Sequence, residues 1–138
     1  MVLPVWDPPA EATFAEPFWA AAREGRCVLP RCSVCGDWQW YPDSAGPGCP
    51  GATYEWEELA GTGTVYTFTV VRRSFLPDQR DRAPYTVVLV ELDGAAGVRL
   101  VGNLADGAEP RIGLRVRAGT DRDAATGHVQ PVFRPIEV

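Results

Sequence analysis

From residue 57 onward, apolar and polar positions alternate in short runs. Gly61-Thr62-Gly63 opens a run to Val71 in which Val65, Thr67, Thr69 and Val71 alternate with Tyr66, Phe68 and Val70. Residues 85–92 form a β-branched, apolar run that ends at the turn signal Asp93-Gly94. Residues 98–104, 113–118 and 128–138 supply three more strands, and Pro131 and Pro135 put the last of them on an edge or at a bulge. Five short strands in this order predict a partly open barrel of the oligonucleotide/oligosaccharide-binding (OB) type. The same periodicity also allows an SH3-like barrel.

The first part of the chain has a different pattern. Residues 1–12, with Pro4, Pro8 and Pro9, read as an extended arm. A short helix follows: Thr13 and Glu16 have capping-box spacing, Pro17 suits a first turn, Phe18, Ala21 and Ala22 share a face, and Gly25 is a stop. Residues 26–29 read as a short strand. The rest of 26–56 holds few aliphatic side chains and needs a staple other than an apolar core. The expected architecture is mainly β: an N-terminal arm and helix (1–25), a small rubredoxin-like zinc-ribbon segment, intact or degenerate (26–56), and a five-stranded OB-fold barrel (57–138).

Composition narrows the chemistry. The 138 residues carry 13 basic side chains, all arginine, against 18 acidic ones, for a net charge of −5. The missing lysine removes Schiff-base and phosphate-loop lysine chemistry from this chain. Any Cys-His or Ser-His-Asp centre would depend on His128, the single histidine, which reads as a surface residue. The acidic balance opposes a bulk nucleic-acid binder. Residues 1–9 lack the basic start and apolar stretch of a leader, and the longest apolar run, near 86–90, is far short of the roughly 20 residues of a membrane span. The expectation is a cytoplasmic protein without membrane or nucleic-acid partners. In a reducing compartment, clustered cysteines point to metal rather than to a disulfide.

Cys32-Ser33-Val34-Cys35-Gly36 carries the strongest chemical signal. Two thiolates two residues apart on a tight turn can face one tetrahedral zinc ion. Cys49 supplies a third ligand. The fourth position, by C-x-x-C counting, is Ala52, which has no ligand atom. Three completions stay open: Cys27, although it sits in the apolar run Cys27-Val28-Leu29 and reads first as a core residue, a carboxylate such as Asp37 or Glu55, or water. The alternative is a metal-free ribbon whose cysteines pack as small apolar side chains. Beside the knuckle, Trp38, Trp40 and Tyr41 can join Phe18, Trp19 and Trp56 in a miniature core or present an interface patch.

In order and spacing, these pieces resemble an acyl-CoA-associated family that joins a rubredoxin-like zinc ribbon to an OB-fold, long catalogued as a domain of unknown function. The resemblance runs from about Pro17 to the C-terminus. It rests on Pro17-Phe18-Trp19, Arg23-Glu24-Gly25-Arg26, Arg31-Cys32 with Cys35-Gly36, Tyr41-Pro42, Cys49-Pro50 and Gly61 to Tyr66 with Phe68-Thr69. It continues through Pro84-Tyr85, Val90-Glu91-Leu92, Val101-Gly102-Asn103-Leu104 and Pro131 to Pro135. Ala52 departs from the family pattern. The resemblance implies an accessory subunit, not an enzyme alone, that forms a hetero-oligomer with a thiolase-superfamily protein. That partner would be a thiolase, a synthase or a lipid-transfer-protein-like aldolase of steroid side-chain degradation. The OB portion would contact the CoA thioester, and the ribbon and helix the partner.

The residues permit that role. Acyl-CoA is polyanionic, and Arg72, Arg73, Arg80 and Arg82 gather on one predicted loop, 72–84. They form a candidate CoA-facing or partner-facing surface. The alternative is four solvated arginines partly neutralised by Asp78 and Asp81. No paired acid/base site is apparent, so no catalytic residue is assigned. Two other functions compete: a single-stranded nucleic-acid module stacking bases on Tyr66 and Phe68, and an independent three-cysteine zinc enzyme.

Overall fold

The elements, in a computed structural model that describes residues 15–73, 84–122 and 129–136, are one helix and seven strands. Helix α1 is Glu16–Arg23. The strands are β1 (Cys27–Cys32), β2 (Tyr54–Leu59), β3 (Thr62–Val71), β4 (Tyr85–Leu92), β5 (Arg99–Leu104), β6 (Arg115–Arg122) and β7 (Val129–Pro135). Pro17 lies in the first turn of α1, where its missing N–H breaks no intrahelical bond. The residue capping the helix is Ala15, which offers no side-chain acceptor, and Thr13 of the expected Thr13–Glu16 capping box lies outside the described residues. The C-terminal stop is as expected. Gly25 takes φ +78°, its N–H donates to Ala22 O at 3.1 Å, and the Arg26 N–H donates to Ala21 O at 2.9 Å. This Schellman closure needs a left-handed residue, which glycine supplies without strain. The helix packs on β1, β6 and β7.

Strands β1 and β2 form an antiparallel hairpin from Cys27↔Leu59 to Cys32↔Tyr54. β2 was not among the expected strands, although Tyr54-Glu55-Trp56-Glu57 alternates and the structure half-buries the two aromatics while exposing both glutamates. Through β1 the hairpin joins the barrel's interior: Cys27 and Leu29 belong to the same buried cluster as Val65, Val88, Val90, Leu100, Leu104, Val116 and Phe133.

The remaining strands close a barrel in the order β3-β4-β5-β7-β6, with β6 pairing back onto β3. The last strand thus lies between the third and fourth strands of the barrel, parallel to β5 and antiparallel to β6. This is the Greek-key order of an OB-fold, here fully closed, and it decides between the two barrels that periodicity allowed. Closure also corrects the expectation of an edge for the last strand. Its ladder to β5 covers just Val132 and Phe133, so Pro131 and Pro135 fall outside that pairing and their missing N–H groups break no rung there.

Candidate functional site

β1 ends at Cys32, and the chain reverses at once. The Cys32 N–H donates to Asp37 O at 2.9 Å, the Gly36 N–H donates to Cys32 O at 2.9 Å, and Arg31 bridges to Trp38. Gly36 takes φ +76°. Arg31 braces this turn from beneath: its Nε donates to Gly36 O at 3.1 Å, its guanidinium lies 4.8 Å from the Trp38 ring centre, and it pairs with Glu57 at 3.1 Å. A second clamp ties this turn to the distant one. The Ser33 N–H donates to Thr53 O, and the Thr53 N–H donates to Ser33 Oγ, both at 2.9 Å. The intervening 42–48 loop is held by Tyr54, whose hydroxyl accepts from the Asp43 N–H at 2.8 Å and donates to Asp43 O at 3.1 Å.

These constraints bring Cys32, Cys35 and Cys49 together, with their sulfurs all within 4.8 Å of one another. A zinc ion with Zn–S bonds of about 2.3 Å needs sulfurs roughly 3.8 Å apart, so the trio fits three corners of its tetrahedron with small adjustments. Among the described residues, the cluster takes in neither Cys27 nor the carboxylates of Asp37 and Glu55. Cys27 is instead a core residue of β1, and burial pushes its thiol up to about 11. The second turn survives without its ligand: the Ala52 N–H still donates to Cys49 O at 3.1 Å, and Gly51 takes φ +72°.

The sulfurs are electrostatically unequal. Cys32 Sγ receives backbone N–H groups from Cys35 and Val34, the latter at 3.4 Å, and these hold its thiol down to about 7. Hydrogen bonds to the sulfurs of Cys35 and Cys32 push Cys49 up to about 11. Backbone N–H groups aimed at a sulfur favour its thiolate, which is the form that ligates metal.

The aromatic residues divide between two roles. Phe18, Trp38 and Trp40 pack against the barrel's buried cluster, and Phe18 stacks 4.2 Å from Trp40. They join helix, knuckle and barrel into one apolar unit. Tyr41, 4.8 Å from Trp40, is exposed. Of the expected base-stacking pair, Phe68 packs against the core and Tyr66 is capped by the Arg99 guanidinium at 4.0 Å. Arg72 and Arg73 are exposed at the end of β3, whereas Arg80, Arg82 and His128 lie outside the described residues. No helix among the described residues is long and apolar enough to cross a membrane.

Sequence reasoning did not single out the supports of the cluster: Arg31, Ser33, Thr53 and Tyr54. Each acts across 11 to 26 positions or through a backbone atom, and no local pattern records such a partner.

Residues 56–121 match the family model of the C-terminal OB-fold domain of ChsH2. A DUF35 domain-containing scaffold protein of Methanocaldococcus jannaschii is 32% identical over 130 residues, covering 86% of this chain and 89% of that protein. A probable enoyl-CoA hydratase alpha subunit of Thermomonospora curvata is 37% identical over 123 residues, but the chain spans about a third (36%) of its length. Among solved structures, a chain of the Ltp2-ChsH2(DUF35) aldolase superposes with a TM-score of 0.72 at 34% identity, covering 93% of this chain and 98% of that one. A DUF35 protein of Sulfolobus solfataricus, of unknown function, shares the fold at 14% identity and a TM-score of 0.56.

Proposed function

Since the chain belongs to the DUF35 family of OB-fold proteins, we propose that it is an accessory subunit of an acyl-CoA enzyme. It would bind a thiolase-superfamily partner in a hetero-oligomer and supply part of the acyl-CoA channel. A steroid side-chain aldolase, performing retro-aldol C–C cleavage of a CoA thioester, is the first candidate for the complex, and a thiolase the second. One observation carries this reading: the chain overlays nearly the whole of its counterpart in the Ltp2-ChsH2(DUF35) aldolase, at 34% identity. The hydratase subunit similar to it also has a name that places it in acyl-CoA chemistry.

The geometry supports a lending role. The apolar cavity between α1 and the barrel, lined by Phe18, Trp19, Ala22, Cys27, Leu100 and Phe133 among others, measures about 40 Å³. Ligand pockets run to about 300–1,000 Å³, so this cavity is too small to hold an acyl chain by itself. Arg72 and Arg73 leave the first strand of the barrel on the connection to the second, a loop that OB-folds use for ligands. With Arg80 and Arg82 they are the proposed contacts for CoA phosphates or for the partner.

Cys32, Cys35 and Cys49 would hold one zinc ion, with the ligand that Ala52 lacks coming from outside the trio. When bound, zinc supplies a cross-link between two turns that bury few apolar groups. In that reading the metal is structural, and the chemistry belongs to the partner.

Co-expression with a thiolase-like protein encoded by a neighbouring gene tests the assignment. The expected result is a stable hetero-oligomer that cleaves or condenses an acyl-CoA only when both chains are present. A chain that stays monomeric beside each such candidate, with the candidate fully active alone, overturns it.

A further inference from the structure

Strands β6 and β7 place two arginines directly opposite each other, Arg117↔Arg134. Like charges in facing positions of an antiparallel pair cost stability. The two side chains are exposed and, with Ala118, Gly119, Pro135 and Ile136, line an open groove of about 440 Å³. Arg134 is held in place: its guanidinium donates to Thr120 O at 3.0 Å and to Asp121 Oδ1 at 3.2 Å. It lies across Gly119, where a Cβ would come within 2.5 Å of its Nη1. A glycine thus clears the bed on which one guanidinium rests. Arg117 has no ion pair among the described residues, although the chain as a whole is acidic. Arg115, two positions before Arg117, is by contrast neutralised by Asp93.

We propose that the Arg117–Arg134 groove binds the phosphate groups of a phosphorylated small molecule. An anion in the groove would gain charge-assisted hydrogen bonds from Arg117 and, beside its pair with Asp121, from Arg134, and arginine's planar fork suits phosphate oxygens. If the acyl-CoA reading holds, this groove takes the diphosphate or the 3′-phosphate of the CoA moiety. In that form the inference rests on the accessory-subunit reading, but the groove itself does not.

The test is calorimetric titration of the full chain with inorganic pyrophosphate, coenzyme A and dephospho-CoA. Pyrophosphate is expected to bind, and Arg117→Ala and Arg134→Ala each to weaken it roughly tenfold or more, the scale of one charge-assisted contact. Gly119→Ala keeps every charge but displaces Arg134, so it too is expected to weaken binding, with thermal melting verifying the fold. Arg111→Ala, an exposed arginine outside the groove, is expected to leave affinity unchanged. A loss for dephospho-CoA relative to coenzyme A assigns the 3′-phosphate, and equal affinity assigns the diphosphate. The proposal is overturned if pyrophosphate does not bind at millimolar concentration, or if Arg111→Ala weakens it as much as the groove variants do. It is also overturned if the groove variants abolish partner association while anions never bind, which would make the arginines a protein contact. A chain that binds pyrophosphate but ignores thiolase-like partners sinks the accessory-subunit reading and leaves the groove standing.

Discussion

Asp93 begins the turn after β4 and collects three donors. Arg115 Nη1 reaches its Oδ1 at 3.0 Å, Arg115 Nη2 pairs with its Oδ2, and Thr62 Oγ1 donates to the same oxygen at 2.8 Å. Hydrogen bonding from Arg115, then from Thr62, holds the Asp93 carboxyl below its ordinary value. A depressed folded value means that the stabilisation is present above the unfolded pKa of about 3.9 and is lost as pH falls through the folded one. Asp93→Asn is therefore expected to lower stability at pH 7, with the difference from wild type shrinking below about pH 4. Both partners are about two-fifths exposed, so the loss should stay within about 1 kcal/mol. Urea midpoints at pH 7 and pH 3 give the comparison. Cysteine environment is the second residue-level contrast. Burial raises Cys27 to about 11, while Cys35 is exposed. Iodoacetamide at pH 8 on the metal-free chain is expected to modify Cys35 well before Cys27, read by peptide mass spectrometry. Equal rates would mean that Cys27 is not sealed in the core.

The hairpin and its two turns behave as one element with two anchors. One anchor is apolar: Leu29 is fully buried and Cys27 nearly so, both inside the barrel's cluster. The other is the trio of sulfurs. The sequence marks the trio clearly, because Cys-x-x-Cys-Gly is a local signal, but it does not mark what supports it. Arg31 meets Glu57 across β1 and β2, and Ser33 meets Thr53 across the two turns. Ala52 looks like a lost ligand in the sequence, yet its turn keeps the fold of a knuckle. From that persistence, Ala52→Cys is expected to complete a four-sulfur site. Zinc affinity, measured by chelator competition in a phosphine reductant, should rise by roughly a hundredfold or more, beyond the about 10- to 100-fold of outer-shell changes. The cobalt form should shift from a three-thiolate to a four-thiolate spectrum. An unchanged spectrum would show that position 52 does not face the metal.

At the scale of the molecule, closure of the barrel is the controlling event. Gly63 sits at the seam, paired with Leu92 of β4 on one side and Val116 of β6 on the other. A Cβ there would come within 2.6 Å of Glu91 O and of Val90 Cγ1. The first contact is backbone and cannot yield without opening the ladder. Gly63→Ala is therefore expected to cost about 1–3 kcal/mol, the usual range for overpacking. Gly48→Ala, with nothing within 4 Å of its added carbon, should change stability by less than about 0.5 kcal/mol. Chemical denaturation of both variants measures the difference, and equal midpoints would mean that the seam is looser than described. The alternating runs were enough to place the five barrel strands, because alternation is what a half-buried strand demands of its own residues. The Tyr-Glu-Trp-Glu alternation of β2 is present in the sequence, but so short a run beside a cysteine-rich turn does not distinguish a strand from a loop. By itself the sequence determined the strand periodicity, the helix stop at Gly25, the cysteine knuckle and the missing ligand at position 52, since each is written in neighbouring residues. The tertiary structure alone decided that the barrel closes as an OB-fold, that Tyr66 is capped by Arg99, and that Arg117 faces Arg134. Those outcomes depend on which distant strands lie side by side, and pairing between strands is set by the packing of the whole.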